Sequence, residues 1–287
     1  LNIPGAPAAI ATGFDGYPLA KKGEAGNAIG ISTVMSVIGG FFGILVLAVG
    51  APIISEFAVR VQPRDYLLLA LMGVLLVGAL SGESLAKGIW AAAFGMVLGS
   101  VGLDPLTVEE RFTFGLPQLT NGISAIAVMI GMFGLSEALI LLHDLDKKAI
   151  KQRVDNIVPK WSDIKKYFGL SMQSSAIGVT VGALPGTGGD IAALLAYDHA
   201  KRVTKNPEVP FGQGAKEGIV APEAANNAAV GGSYIPMLTL GIPGDAVTAV
   251  IIGALFIKGL NPGPLMLIEK PHMFWFTVGN LTLANCF

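Results

Sequence analysis

The stretch from Asn27 to Ser55 contains no charged residue, and this feature limits the possible folds most strongly. Such a run is long enough for a helix that crosses a bilayer at a tilt. Charged residues make up 14% of the chain, against about 25% in soluble domains. The mean hydropathy is +0.64, so a soluble fold would lack the surface charge that it needs. The sequence therefore predicts an all-α, polytopic integral membrane protein.

Composition also excludes several classes of protein. A formal net charge of -1 argues against a nucleic-acid partner, and a single cysteine excludes a disulfide framework. The three histidines are scattered and lack zinc-ligand spacing. The glycine-rich stretch Gly182–Gly189 is not followed by Lys-Ser/Thr, so it does not fit a phosphate-binding loop. No arrangement typical of catalysis is present, so we expect neither an enzyme nor a bound cofactor.

Further apolar runs predict additional spans. Tyr66–Leu80 and Ile89–Val101 form a predicted hairpin around the turn Ser81–Lys87, another span covers about Ile123–Leu142, and a last one begins near Met273. Residues 1–26 are rich in turn signals such as Asp15-Gly16 and Tyr17-Pro18. The chain opens without a methionine and stops inside an apolar run. We interpret it as an internal fragment of a longer protein.

Residues 143–167 form a basic segment, which contains Lys147, Lys148, Lys151, Arg153, Lys160, Lys165 and Lys166. Counting spans alternately places it on the same side as Lys21, Lys22 and Lys87. The opposite side receives only Arg60, Arg64 and Arg111. By the positive-inside rule, the lysine-rich side is cytoplasmic.

Two glycine–proline breaks interrupt apolar sequence, at Gly182–Asp190 and at Leu240–Asp245. Within a bilayer, broken backbone is tolerated only where it is buried in protein or lines a cavity. Phe168–Tyr197 is either a re-entrant hairpin with the first break at its tip or a broken spanning helix. Ile219–Ile257 supplies a second broken element around the second break.

The opening Leu1–Gly5 matches Leu240–Gly244 at four of five positions. Broken segments at matching places in two halves are typical of the inverted repeats of secondary transporters. We therefore predict three parts. Residues 1–142 hold the end of a first repeat with connecting helices, 143–167 a basic cytoplasmic loop, and 168–287 a second repeat truncated at its C-terminus.

Several motifs resemble the large membrane subunit of the tripartite tricarboxylate transporter family, a TctA-like permease. They are Ala183–Asp190, Ala221–Ser233, Leu238–Ala249, Gly259–Pro264, and the opening Asn2–Gly5 with Asp15–Pro18. The resemblance implies a bacterial inner-membrane subunit that imports citrate or related di- and tricarboxylates, coupled to Na⁺ or H⁺. It also implies two partners, a small membrane subunit and a periplasmic solute-binding protein. A non-transporting membrane scaffold is the alternative, and a membrane enzyme ranks below both.

The breaks supply the candidate substrate site, because a helix N-terminus offers free backbone N–H groups to an anion. Glycine lets a ligand approach the backbone closely. The alternative is that both breaks are packing kinks. The candidates are Asn2, Pro4, Gly5, Pro185, Gly186, Thr187, Gly188, Gly189, Asn226, Asn227, Ser233, Pro243 and Gly244.

Three carboxylates are candidates for ion coupling. Asp190 and Asp245 directly follow the breaks, so each either caps a helix or binds the coupling cation. Glu223 is either a proton carrier or a cap. For Asn226 and Asn227, hydrogen bonding between helices is the alternative to ligand binding. The hydroxyls of Thr187, Ser233 and Thr239 are secondary candidates, since such groups often bond their own backbone.

Overall fold

The computed structural model describes residues 8–60, 85–104, 109–124 and 157–287, with isolated positions between them. This part of the chain is mostly helical. The helices are α1 (Ala9–Leu19), α2 (Ala25–Ala58), α3 (Leu85–Gly99), α4 (Trp161–Gly182), α5 (Gly188–Val203), α6 (Glu217–Leu240), α7 (Ala246–Ile257), α8 (Met266–Glu269) and α9 (Pro271–Cys286). A short antiparallel ladder pairs β1 (Gly102–Leu103) with β2 (Glu110–Arg111), and a 3₁₀ turn covers Pro117–Leu119.

Helix α6 is the centre of the structure, and most of its residues are buried. Its sequence is dominated by small side chains, which let neighbouring backbones approach on every side. Helices α2, α4 and α5 pack around it. Pro222 and Pro236 lie inside α6 without ending it.

Glycines of α2 and α4 contact the α6 backbone so closely that an added Cβ would collide with it. The pairs are Gly39–Ala224, Gly43–Ala228, Gly178–Ala225 and Gly182–Ala229. In each helix the numbers rise together with those of α6, so α2 and α4 run parallel to it. Gly39 and Gly43 of α2 therefore serve the close approach of this helix to α6.

We expect Gly178→Val to destabilise the helix packing by roughly 1–3 kcal/mol, the usual cost of overpacking a core. A Cβ at Gly178 would lie 2.9 Å from the Ala225 Cα, and this backbone atom cannot move aside as a flexible side chain could. The matched control is Gly169→Val in the same helix, because nothing lies within 4 Å of a Cβ there. Thermal unfolding in detergent measures the difference, and equal midpoints for the two variants would contradict the close packing.

Helices α4 and α5 form an antiparallel hairpin on one side of α6. Gly189 at the start of α5 contacts Asn226, whereas Tyr197 farther along α5 contacts Gly218, so α5 runs antiparallel to α6. The hairpin tip, residues 183–187, lies level with Ala229. At about 1.5 Å per residue, this level is roughly 18 Å from the start of α6 and roughly 16 Å from its end. The tip therefore reaches the middle of α6, the geometry that the re-entrant interpretation requires.

The second break also returns to the middle of α6. Gly241, with φ of 71°, ends α6 in the left-handed conformation, and the chain then turns back. Helix α7 begins beside Ser233, because a Cβ on Gly244 would lie 2.6 Å from the Ser233 Cα. The predicted broken element Ile219–Ile257 is thus observed as α6, a connecting segment and α7.

Helix α9 packs antiparallel to α2. Asn285 Nδ2 donates to the Val37 carbonyl at 2.9 Å, while at the other end Ser55 Oγ donates to the Pro264 carbonyl at 3.1 Å. A buried apolar cluster lies between α2, α6, α7 and α9 and includes Leu47, Ile235, Leu238, Ile252 and Phe274.

Three sequence expectations differ from the structure. Residues 9–19 form α1 with Pro18 inside it, whereas turns were predicted there. Tertiary bonds to the Asp15 side chain hold this stretch, and such contacts commonly outweigh local propensity. Helix α3 begins at Leu85, inside the predicted turn Ser81–Lys87. Helix α4 begins at Trp161, so the predicted basic loop 143–167 ends in helical turns.

Other predicted segments lie outside the described residues. They are most of Tyr66–Leu80, most of Ile123–Leu142 and residues 143–156 of the basic segment. Within the described part, one helical stretch, Ala9–Phe57, is apolar enough and has a helix long enough to cross a membrane. It is kinked at Gly23, where φ is 88°, between α1 and α2. Its exposed side carries large apolar side chains, which include Phe41, Leu45, Val49, Ile53 and Phe57.

Candidate functional site

The two glycine–proline breaks meet. The Gly186 N–H donates to the Gly244 carbonyl with an N···O distance of 2.9 Å. A Cβ on Gly188 would lie 3.1 Å from the Asp245 Cβ. We call this place, formed by residues 182–190 and 243–245 against the middle of α6, the junction. Three helix ends lie at it: the C-terminus of α4 and the N-termini of α5 and α7.

The N-terminus of α5 is open. Thr187 stands at its N-cap position, but the Thr187 hydroxyl donates to the carbonyls of Val181 and Leu184 and makes no cap bond. Among the described residues, the backbone N–H groups of Gly188, Gly189 and Asp190 have no hydrogen-bond partner. These N–H groups carry the partial positive charge of a helix start, which favours an anion.

The N-terminus of α7 is capped by Asp245. Asp245 Oδ1 accepts from the Thr248 N–H at 2.7 Å, and the Thr248 hydroxyl accepts from the Asp245 N–H at 2.9 Å. The capping interpretation of Asp245 is confirmed. Asp245 Oδ2 makes no hydrogen bond to the described residues. Asp190 is exposed in the first turn of α5 and likewise makes no side-chain hydrogen bond within the described part.

The two neighbouring amides of α6 face different helices. Asn226 Oδ1 lies against Gly189 at the start of α5, so this amide is at the junction. Asn227 instead donates from Nδ2 to the Glu223 carbonyl at 3.1 Å, within its own helix. It lines a cleft of about 170 Å³ with Gly40 and Asn285, between α2 and α9. Of the pair, only Asn226 therefore lies beside a break, the one that leads into α5.

Ser233 lies fully buried beside Gly244, and its Oγ has no partner among the described residues. A buried hydroxyl without a partner is costly and is a candidate for ligand contact. Thr239, by contrast, donates to the Ile235 carbonyl of its own helix at 2.7 Å, as expected for a secondary candidate.

Glu223 lies inside α6, six residues after the helix begins at Glu217, so it does not cap the helix. Its Oε2 accepts from the Ser36 hydroxyl of α2 at 2.6 Å. It therefore lies on the α2 side, with Asn227, and apart from the junction.

The structure thus brings part of the predicted set together. At the junction are Pro185, Gly186, Thr187, Gly188, Gly189, Asp190, Asn226, Ser233, Pro243, Gly244 and Asp245. Asn227 and Glu223 lie elsewhere on α6, and Asn2, Pro4 and Gly5 lie outside the described residues. Within the described ranges, no group of three His, Cys, Asp or Glu side chains is placed to hold a metal ion.

Sequence analysis missed Asp15, which is completely buried. Its Oδ1 accepts from the N–H groups of Gly212, Gly214 and Ala215, each at 2.8 Å, and its Oδ2 accepts from the Tyr197 hydroxyl at 2.9 Å. A carboxylate in an otherwise apolar helical stretch was the available signal. It was interpreted as half of an Asp-Gly turn instead.

Two ion pairs tie the α5–α6 connection to the start of α4. Lys216 pairs with Asp163 at 2.9 Å, and Lys166 pairs with Glu208 at 2.6 Å. The hydrogen bond from Lys166 lowers the pKa of Glu208 below its usual range. Both pairs lie at the end of the hairpin far from the junction.

The chain is similar to a known protein family over its whole length. The family profile described as "Tripartite tricarboxylate transporter TctA family" matches residues 1–287. An Agrobacterium vitis protein described as "Uncharacterized 52.8 kDa protein in TAR-I ttuC' 3'region" is 36% identical over 286 residues, which cover 99% of this chain and 57% of that protein. A second A. vitis protein, "Uncharacterized protein in TAR-II ttuC' 3'region", is 44% identical over 108 residues, 38% of this chain and 44% of that protein.

The chain therefore spans 57% of the length of one curated relative and 44% of the other. No solved structure matches it.

Proposed function

Because the chain belongs to the tripartite tricarboxylate transporter TctA family, we propose that it forms the substrate-moving part of a secondary transporter for citrate or a related di- or tricarboxylate. Membership confirms the resemblance drawn from the sequence motifs. The family is one of transporter subunits rather than of enzymes. The observation that carries the proposal is the junction, where both breaks meet at the middle of α6 through the Gly186–Gly244 hydrogen bond.

The open end of α5 is the carboxylate-binding side of this proposed site. The free N–H groups of Gly188 and Gly189 present hydrogen-bond donors, and Asn226 adds an amide at the same end. Ser233 adds a buried hydroxyl that lacks a partner in the described part. Hydrogen bonds to a charged group contribute roughly 1.5–3 kcal/mol each, so these donors together would stabilise a bound carboxylate.

The end of α4 and Asp245 form the cation side. A helix C-terminus carries partial negative charge, which favours a cation. The Gly182 carbonyl, at the end of α4, lies 2.9 Å from where a Cβ on Gly244 would stand. Asp245 contributes a full negative charge, and its Oδ2 is available. The negative end of the α4 dipole and the positive end of the α5 dipole are thus close together at the junction.

This arrangement gives a physical reason for ion coupling. Neither Phe168–Tyr197 nor Glu217–Ile257 contains a lysine or arginine. A multiply charged carboxylate in an apolar setting must be neutralised, because isolated charges are costly to bury. Cations that enter with the substrate, Na⁺ or H⁺, meet that requirement and make uptake depend on their gradient.

The proposed site would lie at mid-depth in the membrane. A junction at the middle of α6 would lie near the centre of a bilayer, as in transporters built from inverted repeats with broken helices. We propose that the protein is a multi-pass subunit of the bacterial inner membrane. A small membrane subunit and a periplasmic solute-binding protein would be its partners.

Uptake into proteoliposomes tests the proposal. The complete transporter, with its binding protein, should accumulate labelled citrate or another di- or tricarboxylate only when a Na⁺ or H⁺ gradient is imposed. Dissipating the gradient with an ionophore should stop accumulation. A protein that binds its partners but moves no tested carboxylate under either gradient would instead be a membrane scaffold.

A further inference from the structure

We propose that Asp15 is a positioning residue that holds the N-terminus of α5 at the junction. The inference rests on the proposed function, since it assigns a role in substrate binding to a residue outside the site. Asp15 is far from the breaks along the chain, touches none of the junction residues described above, and is completely buried. Its carboxylate joins three separate segments: α1, the connection before α6, and α5.

The first attachment is to the start of α6. Oδ1 accepts three backbone N–H groups, those of Gly212, Gly214 and Ala215, all at 2.8 Å. Gly212 and Gly214 have φ of 83° and 104°, values that favour glycine and let these N–H groups converge on one oxygen. The convergence makes an anion-binding concavity that the Asp15 side chain fills. Asp15 thereby fixes α1 against the beginning of the central helix.

The second attachment is to α5. Oδ2 accepts from the Tyr197 hydroxyl at 2.9 Å, and the Tyr197 ring is held edge-on between Phe14 and Phe211. A Cβ at Gly218 would contact both Asp15 and Tyr197, so α6 closes this cluster from the third side. Tyr197 is therefore fixed in position along α6.

Helix α5 transmits this position to the junction. Tyr197 stands nine residues after Gly188, which is about 13 Å along a helix that behaves as a rigid rod over this length. The face between them carries Ala192, Ala193 and Ala196, all buried. Such small side chains permit close packing but interlock weakly, so polar contacts contribute to the sliding register of α5. At the end of α5 far from the junction, the Asp15–Tyr197 bond is a buried contact of this kind.

The ion pairs at the same end are weaker candidates for this role. Glu208 is 69% exposed and pairs with Lys166, and surface pairs of this kind contribute little. Lys216 and Asp163 join α4 to the start of α6. Of the attachments described here, Asp15 is the buried one that reaches α5.

Loss of the attachment should change substrate affinity. If α5 is free to shift, only a fraction of molecules present the Gly188 and Gly189 N–H groups correctly, and the apparent KM rises as that fraction falls. A purely structural role predicts something else. Less folded carrier would lower the maximal rate and leave the KM of the surviving molecules unchanged.

The test compares four variants of the complete transporter in proteoliposomes, with uptake of labelled citrate normalised to the amount of folded protein. Asp15→Ala should raise the apparent KM by about tenfold, and Tyr197→Phe, which keeps the α6 attachment, by about fivefold. Asp15→Asn should stay within about threefold of the parent, because its oxygen can accept the same N–H groups and its Nδ2 can donate to the Tyr197 oxygen. The control is Asp198→Asn, at the position next to Tyr197. It removes an exposed carboxylate that pairs with Arg202 and should leave the KM unchanged.

A distance measurement tests the position of α5 without measuring transport. Spin labels at Leu194→Cys on α5 and Val247→Cys on α7 occupy exposed positions on the two helices that meet at the junction, in a Cys286→Ser background. The distance distribution should broaden or shift in Asp15→Ala and Tyr197→Phe, and not in Asp198→Asn. Tyr197→Phe keeps the test valid if Asp15→Ala fails to fold.

The two readouts separate the possible failures. Unchanged distances and an unchanged KM in Tyr197→Phe would overturn the positioning role even if the parent transports citrate normally. Altered distances in a protein that transports no carboxylate would overturn the proposed function and leave the positioning of α5 by Asp15 in place.

Discussion

Valine at Gly244 should abolish carboxylate uptake while the protein still inserts into the membrane. A Cβ at this position would lie 2.6 Å from the Ser233 Cα and 2.9 Å from the Gly182 carbonyl oxygen. Both neighbours are tied to backbone, so the junction must open to make room. Displacement of about 1 Å at a reacting or binding site can cost roughly a hundredfold in rate. Gly186→Val should have the same effect, because Gly186 has φ of 81° and its N–H holds the Gly244 carbonyl.

Gly259→Val is the matched control for these variants. Gly259 follows α7 with φ of 70°, so valine is strained there to a similar degree, but nothing lies within 4 Å of its Cβ. Initial rates of labelled citrate uptake, normalised to membrane-inserted protein, distinguish the sites. Near-normal uptake by Gly244→Val would mean that the breaks are packing kinks and that substrate binds elsewhere.

The sequence was sufficient to predict where the helices break. Pro-Gly pairs within apolar runs leave few alternatives to a helix end, and both predicted breaks are observed at Ala183–Thr187 and Gly241–Asp245. Their meeting depends on how the helices pack together. Small residues at four-residue spacing on α2, α4 and α6 allow these helices to pack closely, which sets the level of the hairpin tip against α6.

The rotation of α6 about its own axis was not predictable in the same way. Asn226 and Asn227 have the same chemistry, and consecutive helix positions point about 100° apart. The faces of α6 that pack against Gly178 of α4 and Gly39 of α2 determine which of the two amides faces α5. Those faces are set by the packing of the whole bundle. Asp15 was missed for a related reason. Its partners lie almost two hundred residues away, so local turn propensity was the only available guide.

Substitution of Asn226 should weaken substrate binding much more than substitution of Asn227. Asn226→Ala removes an amide beside the open N-terminus of α5, and each hydrogen bond to a charged ligand contributes roughly 1.5–3 kcal/mol. The apparent affinity for citrate should therefore fall by about tenfold to a hundredfold. Asn227→Ala, in the cleft beside Asn285, is the control and should change affinity little. Equal losses in both variants would contradict the placement of the site at the junction.

Replacement of Asp245 by asparagine should uncouple substrate transport from the cation. Asparagine caps helices about as well as aspartate, so Asp245→Asn keeps the bond to the Thr248 N–H while removing the negative charge. Uptake should lose most of its dependence on Na⁺ or pH, and exchange of substrate without a gradient should survive. Glu223→Gln is the control, because Glu223 bonds Ser36 away from the junction and should leave the ion dependence intact. If Asp245→Asn retains full ion dependence, the carboxylate only caps α7, and the coupling cation must be held by other groups.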